Sequence, residues 1–337
     1  MLAARRELFS ACQNGPMSLT RRTFISTLVG GDISWFLACN RFLYNLRNRQ
    51  VIVIFSTENT PPYRPRQNVL NALILAAGQG RRLWPYTSEC PKCLLVVGPH
   101  TILKHQLLRL AAVGVTRVTI VAGYGLDAMR EEASGAQIRG LSVQVIYNPF
   151  YAVADNLISL WAARAEMGTD FLVLNGDNVF HPDIPRFLLG PPASGCRLLI
   201  QRQSHYSDDD MKVCLDEDRL LQIGKDLPPR QTHATSIGMM RFSGTGAAAL
   251  HQVLEEAVRG DEALGSFYLD CVQRLADAGT KVCCHDVGSL PCVDIDTPQD
   301  LQSVRSSLQI FEPDFGTDFG PDTIEPAALG GTMQGLA

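Results

Sequence analysis

The sequence predicts an α/β protein in which a mostly parallel sheet is covered by helices, and three observations point to that class. Apolar strand-like runs alternate with segments of helical spacing from residue 71 onward. The runs NALILA (71–76) and FLVLN (171–175) are almost continuously apolar, which is typical of strands buried on both faces. The chain has 337 residues, 46% hydrophobic and 19% charged, and this composition suits a globular protein with a sizeable core.

The expected elements follow in a regular order along the chain. Strands are predicted at 71–76, 117–123, 142–148, 171–177 and 281–287, and helices at 101–114, 126–134, 156–167, 246–260, 267–279 and 296–308. A hairpin is predicted at 211–225, with DEDR as its turn. Pro298 suits the first turn of the last helix, after a cap at Asp296 or Thr297. Strands joined through helices predict parallel pairing with right-handed crossovers.

Charge divides the chain into three parts. Residues 1–70 hold nine Arg, no Lys and three acidic residues, and we expect a basic N-terminal extension that is poorly ordered or variable. Residues 71–310 form the predicted domain. Residues 311–337 hold five acidic residues and no basic one, and their Gly, Pro and Asp content predicts a disordered acidic tail.

Several partners and locations are disfavoured. The net charge of -4 argues against a nucleic-acid-binding face, and no apolar run is long enough to predict a membrane span. LTRRTFISTLVGG (19–31) resembles a twin-arginine export signal, but Asp32 interrupts its apolar region and no small-residue cleavage site follows cleanly. We therefore expect a cytoplasmic protein; the sequence does not indicate an oligomeric state.

A glycine-rich turn follows the first strand of the domain. Gly78 and Gly80 precede Arg81 and Arg82, so backbone N–H groups and guanidinium groups could converge on an anion. A Walker loop would need Gly-Lys followed by Ser or Thr, and a dinucleotide fingerprint would need a third glycine where Leu83 stands. The stretch therefore predicts another kind of phosphate site. A plain turn with two surface arginines is the alternative.

Carboxylates stand at two other strand ends. Asp177 ends the strand FLVLNGD, and Asp294 and Asp296 lie in VDIDTPQDL before the last helix. Ligands bind at the carboxyl ends of strands in open parallel sheets, and Mg²⁺ prefers carboxylate oxygens. Asp177 with Asp296, or with Asp294 in its place, is thus a candidate Mg²⁺ site. A turn role for Asp177 and a cap role for Asp296 remain open.

Ten cysteines are spread along the chain, and two of them form a C-x-x-C motif at Cys90 and Cys93. Such a motif is typical of a redox pair or of half a zinc site. Most of the others lie in apolar strand-like runs, where Cys acts as a small hydrophobic residue. We expect reduced thiols.

The motifs LAAGQGRRL, PKCLL, LNGD and VDIDTPQDL together resemble the nucleotidyltransferase family that includes the sugar-phosphate nucleotidyltransferases, over residues 71–308. NPFYAVADNLISLWAAR and MKVCLDEDRLLQIGKDLPP resemble the phosphocholine cytidylyltransferase-like branch. The resemblance implies a three-layer Rossmann-like nucleotidyltransferase fold with a mostly parallel mixed sheet and a small hairpin insertion.

The resemblance also implies roles for individual residues. Lys92, Arg82 and Asp177 would be catalytic, Asp177 and Asp296 (or Asp294) would bind Mg²⁺, and Lys212 and Lys225 would bind the acceptor. The nucleotide would contact Leu75, Ala76, Ala77, Gly78, Gly80, Arg82, Gly123, Tyr124, Asn156 and Ser159.

The implied reaction transfers a nucleoside monophosphate from a nucleoside triphosphate to a small phosphorylated acceptor and releases pyrophosphate. CTP and an acceptor such as phosphocholine fit the branch; a hexose-1-phosphate nucleotidyltransferase using UTP or dTTP shares all the motifs. A non-catalytic nucleotide-binding regulator is the third hypothesis, and it predicts loss of a metal ligand or of Lys92. Tyr151, Trp161 and Tyr268 could cage a quaternary ammonium group, although aromatic residues at such positions more often belong to the core.

Overall fold

The structure, a computed structural model, describes residues 36–39, 42–45, 50–53, 70–189 and 195–311. The chain divides into two compact units, residues 1–64 and 65–337. The described part of the first unit is an antiparallel meander of β1 (Phe36–Cys39), β2 (Phe42–Asn45) and β3 (Gln50–Val53). The rest of the predicted extension, including the export-like segment 19–31, and the predicted tail after residue 311 lie outside the described residues.

The second unit alternates strands and helices as expected. Its strands are β4 (Asn71–Ala76), β5 (Val96–Val97), β6 (His100–Thr101), β7 (Arg117–Ala122), β8 (Ser142–Tyr147), β9 (Asp170–Asn175), β10 (Asn178–Phe180), β11 (Gly195–Gln201), β12 (Lys212–Asp216), β13 (Arg219–Gly224), β14 (Ala234–Ser243), β15 (Val282–Asp286) and β16 (Cys292–Asp294). Its helices are α1 (Ile102–Ala112), α2 (Leu126–Gly135), α3 (Asn156–Ala162), α4 (Ile184–Leu188), α5 (Thr245–Ala257), α6 (Tyr268–Asp277), α7 (Pro298–Ser306) and α8 (Leu308–Phe311).

Nine of the described strands form one mixed sheet. Its parallel part runs in the order β9-β4-β7-β8, and β14 pairs antiparallel with β9. Beyond β14, the pairings β14–β11, β11–β15, β15–β13, β13–β12 and β12–β14 link five strands in a ring. The predicted hairpin is β12–β13, whose turn places Glu217 at a φ of 52°. The mixed sheet with a hairpin insertion is confirmed, and its parallel pairs are those within β9-β4-β7-β8 and the pair β11–β15.

Helices cover both faces of the parallel part. Successive residues of β4 point to opposite faces, and Ala72 and Ile74 join a buried cluster with Leu103 and Leu107 of α1 and Met129 of α2. Helix α3 packs on the other side, in contact with β4, α5 and α6. All six residues of β4 are buried, which explains its continuous apolar run.

Two short antiparallel pairs supplement the main sheet. Strands β5 and β6 form one hairpin, while β10 pairs with β16 so that Asn178 lies opposite Asp294 and Phe180 opposite Cys292. The sequence indicated neither pair.

The last predicted helix begins as expected: Thr297 and Asp300 form a capping box, and Pro298 is its first residue. None of the helices within the described ranges has the length and apolarity needed to cross a bilayer.

Candidate functional site

The carboxyl ends of β4 and β9 meet through a glycine. The backbone N–H of Gly176 donates to Leu75 O at 2.9 Å. A Cβ added to Gly176 would lie 2.6 Å from Ala76 Cβ and 3.0 Å from Leu75 O, closer than side chains normally approach. The absent side chain therefore lets the chain after β9 pass directly over the end of β4, and this places Asp177 at the edge of the sheet.

Asp296 reaches the same edge from a distant part of the sequence. Antiparallel pairing of β10 with β16 aligns the chain just after Asp177 with the chain just before Asp296. The backbone N–H of Ile295 then donates to Asp177 O at 3.1 Å. The pairing of β10 with β16 therefore brings together two carboxylates that were predicted from separate motifs.

Lys92 lies between these two carboxylates. Its ammonium contacts Asp177 Oδ2 at 2.8 Å and Asp296 Oδ1 at 2.5 Å, with only 13% of the side chain exposed. Arg82 binds the other oxygen of Asp296 at 2.9 Å. The structure therefore brings together four of the predicted site residues in one charged cluster.

The charges in this cluster shift one another's pKa values. Burial lowers the pKa of Lys92, but Asp177 and Asp296 more than offset this, and its pKa lies above the usual value. Burial acts to raise the pKa of Asp296, yet Lys92 and then Arg82 hold it below its usual value. Lys92 and Asp296 therefore stay ionised around neutral pH.

Asp294 lies near the same charged cluster but has different surroundings. Its side chain is exposed to solvent at the end of β16, whereas the Lys92 side chain is only 13% exposed. Asp294 is the last residue of β16 and lies opposite Asn178 of β10, whereas Asp296 lies beyond the strand and contacts Lys92. The geometry thus distinguishes the two candidate ligands, and Asp296 is the one bound into the cluster.

The carboxylates of Asp177 and Asp296 fit a hard divalent cation whose remaining ligands are phosphate and water. Asp177 Oδ1 is buried and has no hydrogen-bond donor among the described residues, so one carboxylate oxygen is available as a ligand. The described ranges contain no group of three or more His, Cys, Asp or Glu placed to hold a metal alone. Mg²⁺ commonly binds through one or two carboxylates, with phosphate and water completing its shell. Asp177 and Asp296 fit that pattern.

The glycine turn lies directly beside Lys92. Gly80 has a φ of 63°, and a Cβ there would lie 3.1 Å from Lys92 Cβ. Its carbonyl accepts hydrogen bonds from the backbone of Leu83 at 3.0 Å and from the Thr87 hydroxyl at 2.7 Å. In contrast, a Cβ on Gly78 would meet no atom within 4 Å. The turn is therefore closed on its Lys92 side and open at Gly78, where an anion could approach the backbone.

Three of the residues predicted to contact the nucleotide lie at the end of β4. Leu75, Ala76 and Ala77 are buried, and the backbone N–H of Tyr124 donates to Ala77 O at 3.2 Å. A Cβ on Gly123 would lie 2.6 Å from Ala77 O and 2.2 Å from Tyr151 Cβ, which explains the glycine. These segments are adjacent, as their position at neighbouring parallel strand ends requires.

Asn156 and Ser159 are engaged within the protein. Asn156 Oδ1 accepts from the backbone N–H of Tyr268 at 2.9 Å, at the start of α6. Ser159 is buried, and its hydroxyl accepts from Asn148 Nδ2 at 3.0 Å. Both side chains support the packing of α3, and their nucleotide contacts stay predictions.

The two lysines predicted to bind the acceptor lie in or directly after the hairpin, which packs against α6. Lys212 is buried and donates to the backbone carbonyl of Lys225 at 2.6 Å, which fixes the end of the hairpin. The Lys225 ammonium lies 5.4 Å from the centre of the Phe267 ring. A cavity of about 540 Å³ opens beside these residues, lined also by Asp226 and Asp270. It is large enough for a small phosphorylated molecule.

The sequence did not single out Asp209, which lies in the cleft. Its carboxylate contacts Arg82 at 2.7 Å and Lys225 at 3.4 Å. The available signal was the run DDD at 208–210 immediately before the hairpin. Acidic runs are usually solvated surface, so only the tertiary contacts reveal its position.

The aromatic cage hypothesis has little geometric support. Tyr268 is fully buried, and the Trp161 ring is covered by the guanidinium of Arg164 at 3.9 Å.

The cysteines of the C-x-x-C motif are free thiols, and Cys93 is buried with its Sγ 3.2 Å from Met129 Sδ. Burial raises the pKa of both thiols, so they remain protonated.

Comparison with known proteins agrees with this geometry. Residues 72–207 match the MobA-like NTP transferase domain. The chain is 38% identical over 141 residues to the CMP-5'-(3-aminopropyl)phosphonate synthase of Streptomyces rubellomurinus, covering 42% of this chain and 21% of that protein. It is 26% identical to the bifunctional IPC transferase and DIPP synthase of Aquifex aeolicus over 71% of this chain and 52% of that protein. The chain thus spans about half or less of these relatives' lengths.

A third relative is matched over most of its own length. The 2-aminoethylphosphonate cytidylyltransferase of Lancefieldella rimae is 27% identical over 68% of this chain and 90% of that protein. Among solved structures, the inositol-1-phosphate CTP transferase from T. maritima superposes with a TM-score of 0.62 at 21% identity, over 72% of this chain and 96% of that one. This structural likeness shows the fold. The matched domain and these relatives, one of which is a cytidylyltransferase by name, show that this part of the chain is similar to nucleotidyltransferases.

Proposed function

We propose that this protein transfers CMP from CTP to a small phosphorylated acceptor such as phosphocholine and releases pyrophosphate. The observation that carries the proposal is the Lys92 bridge between Asp177 and Asp296, beside the open glycine turn. Here a backbone turn that we propose binds phosphate lies beside two cations and two candidate metal ligands, at the carboxyl edge of one sheet. A non-catalytic homologue would be expected to lack part of this set.

The reaction follows from the charges. An anionic oxygen of the acceptor's phosphate attacks the α-phosphorus of the nucleotide and forms a new P–O bond. The bond from the α-phosphorus to the oxygen shared with the β-phosphate breaks, and pyrophosphate leaves with that electron pair. The attacking oxygen is already anionic near neutral pH, so no general base is needed. The difficulty is electrostatic, because two anions must come together.

The chain's own residues address this difficulty. Lys92 and Arg82 would neutralise charge on the α-phosphate and on the departing pyrophosphate, as fixed cations need little reorganisation during the reaction. The backbone around Gly78 and Gly80 would orient the triphosphate. Asp177 and Asp296 would hold Mg²⁺, which when bound would supply further neutralisation of phosphate charge.

The nucleotide and the acceptor are inferred with the help of the relatives. The names of the Streptomyces, Lancefieldella and T. maritima proteins all indicate CMP or CTP chemistry. The acceptors in those names are phosphonates or a phosphate ester. On this chain, Lys225 and the adjacent cavity would receive the acceptor, with the Lys212 contact holding the hairpin end in place.

A matrix of substrates tests the proposal. CTP, UTP and dTTP are each combined with phosphocholine, 2-aminoethylphosphonate, inositol-1-phosphate and glucose-1-phosphate, and pyrophosphate release is measured with and without Mg²⁺. The proposal predicts turnover with CTP and a small phosphorylated or phosphonylated acceptor. Turnover only with UTP or dTTP and glucose-1-phosphate would favour the hexose-1-phosphate alternative, and the Asp177→Asn variant serves as the inactive control.

A further inference from the structure

Charged side chains cross the cleft in a row of alternating sign. Each contacts the next at 2.5–3.4 Å, in the order Asp177, Lys92, Asp296, Arg82, Asp209 and Lys225. The proposed function assigns a role to every member except Asp209. This residue connects the nucleotide side of the row with the acceptor side.

The two oxygens of Asp209 are divided between two cations. Oδ2 contacts the Arg82 guanidinium at 2.7 Å, and Oδ1 contacts the Lys225 ammonium at 3.4 Å. Arg82 belongs to the turn after β4, whereas Lys225 follows β13. One anionic group with at least two oxygens is therefore enough to join the two sides.

Asp209 lies in the tight turn of residues 207–210, directly before the hairpin. The backbone N–H of Ser207 donates to Asp210 Oδ2 at 2.7 Å, and the N–H of Asp210 points back to Ser207 O at 3.4 Å. This local turn presents Asp209 toward the cations without burying it: 65% of its side chain is exposed. An exposed ion pair is weak and can be displaced by a better anion.

We propose that Arg82 and Lys225 together form one phosphate subsite, and that Asp209 is a specificity-determining residue that occupies it until a phosphate or phosphonate binds. This inference rests on the proposed function, which treats the two cations as contacts for different substrates. A phosphate group offers three acceptor oxygens and up to two negative charges, so it can replace both carboxylate contacts. Asp209 thus competes with the entering substrate and with the departing product.

Binding measurements on the full chain test this subsite. Calorimetric titration with inorganic pyrophosphate and, separately, with phosphocholine compares the unmodified protein with Asp209→Asn. We expect Asp209→Asn to bind at least one probe about three- to tenfold more tightly, because the internal competitor is lost. Tightening for pyrophosphate alone assigns the subsite to the nucleotide, and tightening for phosphocholine alone assigns it to the acceptor. Either result supports the inference.

Controls separate this effect from a general change of charge. Asp208→Asn removes the same charge from the same loop and should leave both affinities unchanged, while Asp209→Glu should restore weaker binding. In a Lys225→Ala background, the gain from Asp209→Asn should shrink. In turnover assays, Asp209→Asn should lower KM for the same substrate without raising kcat.

Unchanged or weaker binding of both probes by Asp209→Asn would overturn the inference, as would equal tightening by Asp208→Asn. The binding test needs no turnover. Failure of the substrate matrix together with tighter binding by Asp209→Asn would therefore refute the proposed function but not the subsite.

Discussion

The two sides of the cleft are built in different ways. On the proposed nucleotide side, the glycine turn at Gly78 and Gly80 follows β4 and Asp177 follows β9. These are adjacent parallel strands whose carboxyl ends must meet. On the proposed acceptor side, Lys225 directly follows the β12–β13 hairpin, and Asp209 lies in the loop before it and contacts Lys225. The first arrangement keeps each functional group next to a motif in the sequence. The second depends on tertiary contacts.

The largest effect is expected on the nucleotide side, at the cation shared by both carboxylates. Lys92→Ala should lower kcat by about 10²-fold or more, by analogy with loss of a transition-state hydrogen-bond donor. It also leaves Asp177 and Asp296 facing each other without their bridging cation. Steady-state pyrophosphate release measures the loss. A KM change with normal kcat would show that Lys92 contributes binding only.

Two glycine substitutions test whether the backbone is tightly packed at Gly176 and open at Gly78. Gly176→Ala should destabilise the protein by about 1–3 kcal/mol, because the new methyl group would overlap Ala76. Gly78→Ala should leave the free energy of unfolding nearly unchanged, because a Cβ there meets nothing within 4 Å. It should instead weaken CTP binding, since the methyl group would enter the space proposed for phosphate.

Urea unfolding and CTP titration of both glycine variants check this. Gly78→Ala that binds CTP normally would mean that the triphosphate does not approach this turn.

A smaller and more selective effect is expected on the acceptor side. Lys225→Ala should raise KM for the acceptor by up to about tenfold, because Lys225 is partly exposed and its charge is partly screened. KM for CTP should change less. An equal rise of both KM values would indicate that the two sides of the cleft do not bind separate substrates, and would be consistent with a fully shared phosphate subsite.

The sequence predicted the parallel half well because its signals are local. A strand buried on both faces needs a continuous apolar run, as in β4, and a helix start needs a cap, as at Thr297 and Asp300. The predicted helix from Asn156 was too long: α3 ends at Ala162, and a short 3₁₀ turn follows. Its alanine-rich continuation has helical propensity, but packing ends the regular helix earlier.

Other features could not be predicted because they depend on distant segments. Strands β10 and β16 have three residues each, too few to show a period, yet their pairing brings Asp296 to Asp177. The choice between Asp294 and Asp296 likewise required the Lys92 contact. Strand β14 was missed although it links the parallel strands to the hairpin, because ATSIGMMRFS mixes polar and apolar residues without a clear alternation.

The most direct test of the account is a double-variant cycle on Asp177 and Asp296. Asp177→Asn and Asp296→Asn are made singly and together, and Mg²⁺-dependent kcat for pyrophosphate release is measured for each, with Asp294→Asn as the comparison. If the two carboxylates act as one unit, each single change should remove most turnover, the double variant should lose little more, and CTP binding without metal should persist. Near-normal turnover of Asp177→Asn, or losses that simply multiply in the double variant, would contradict the account.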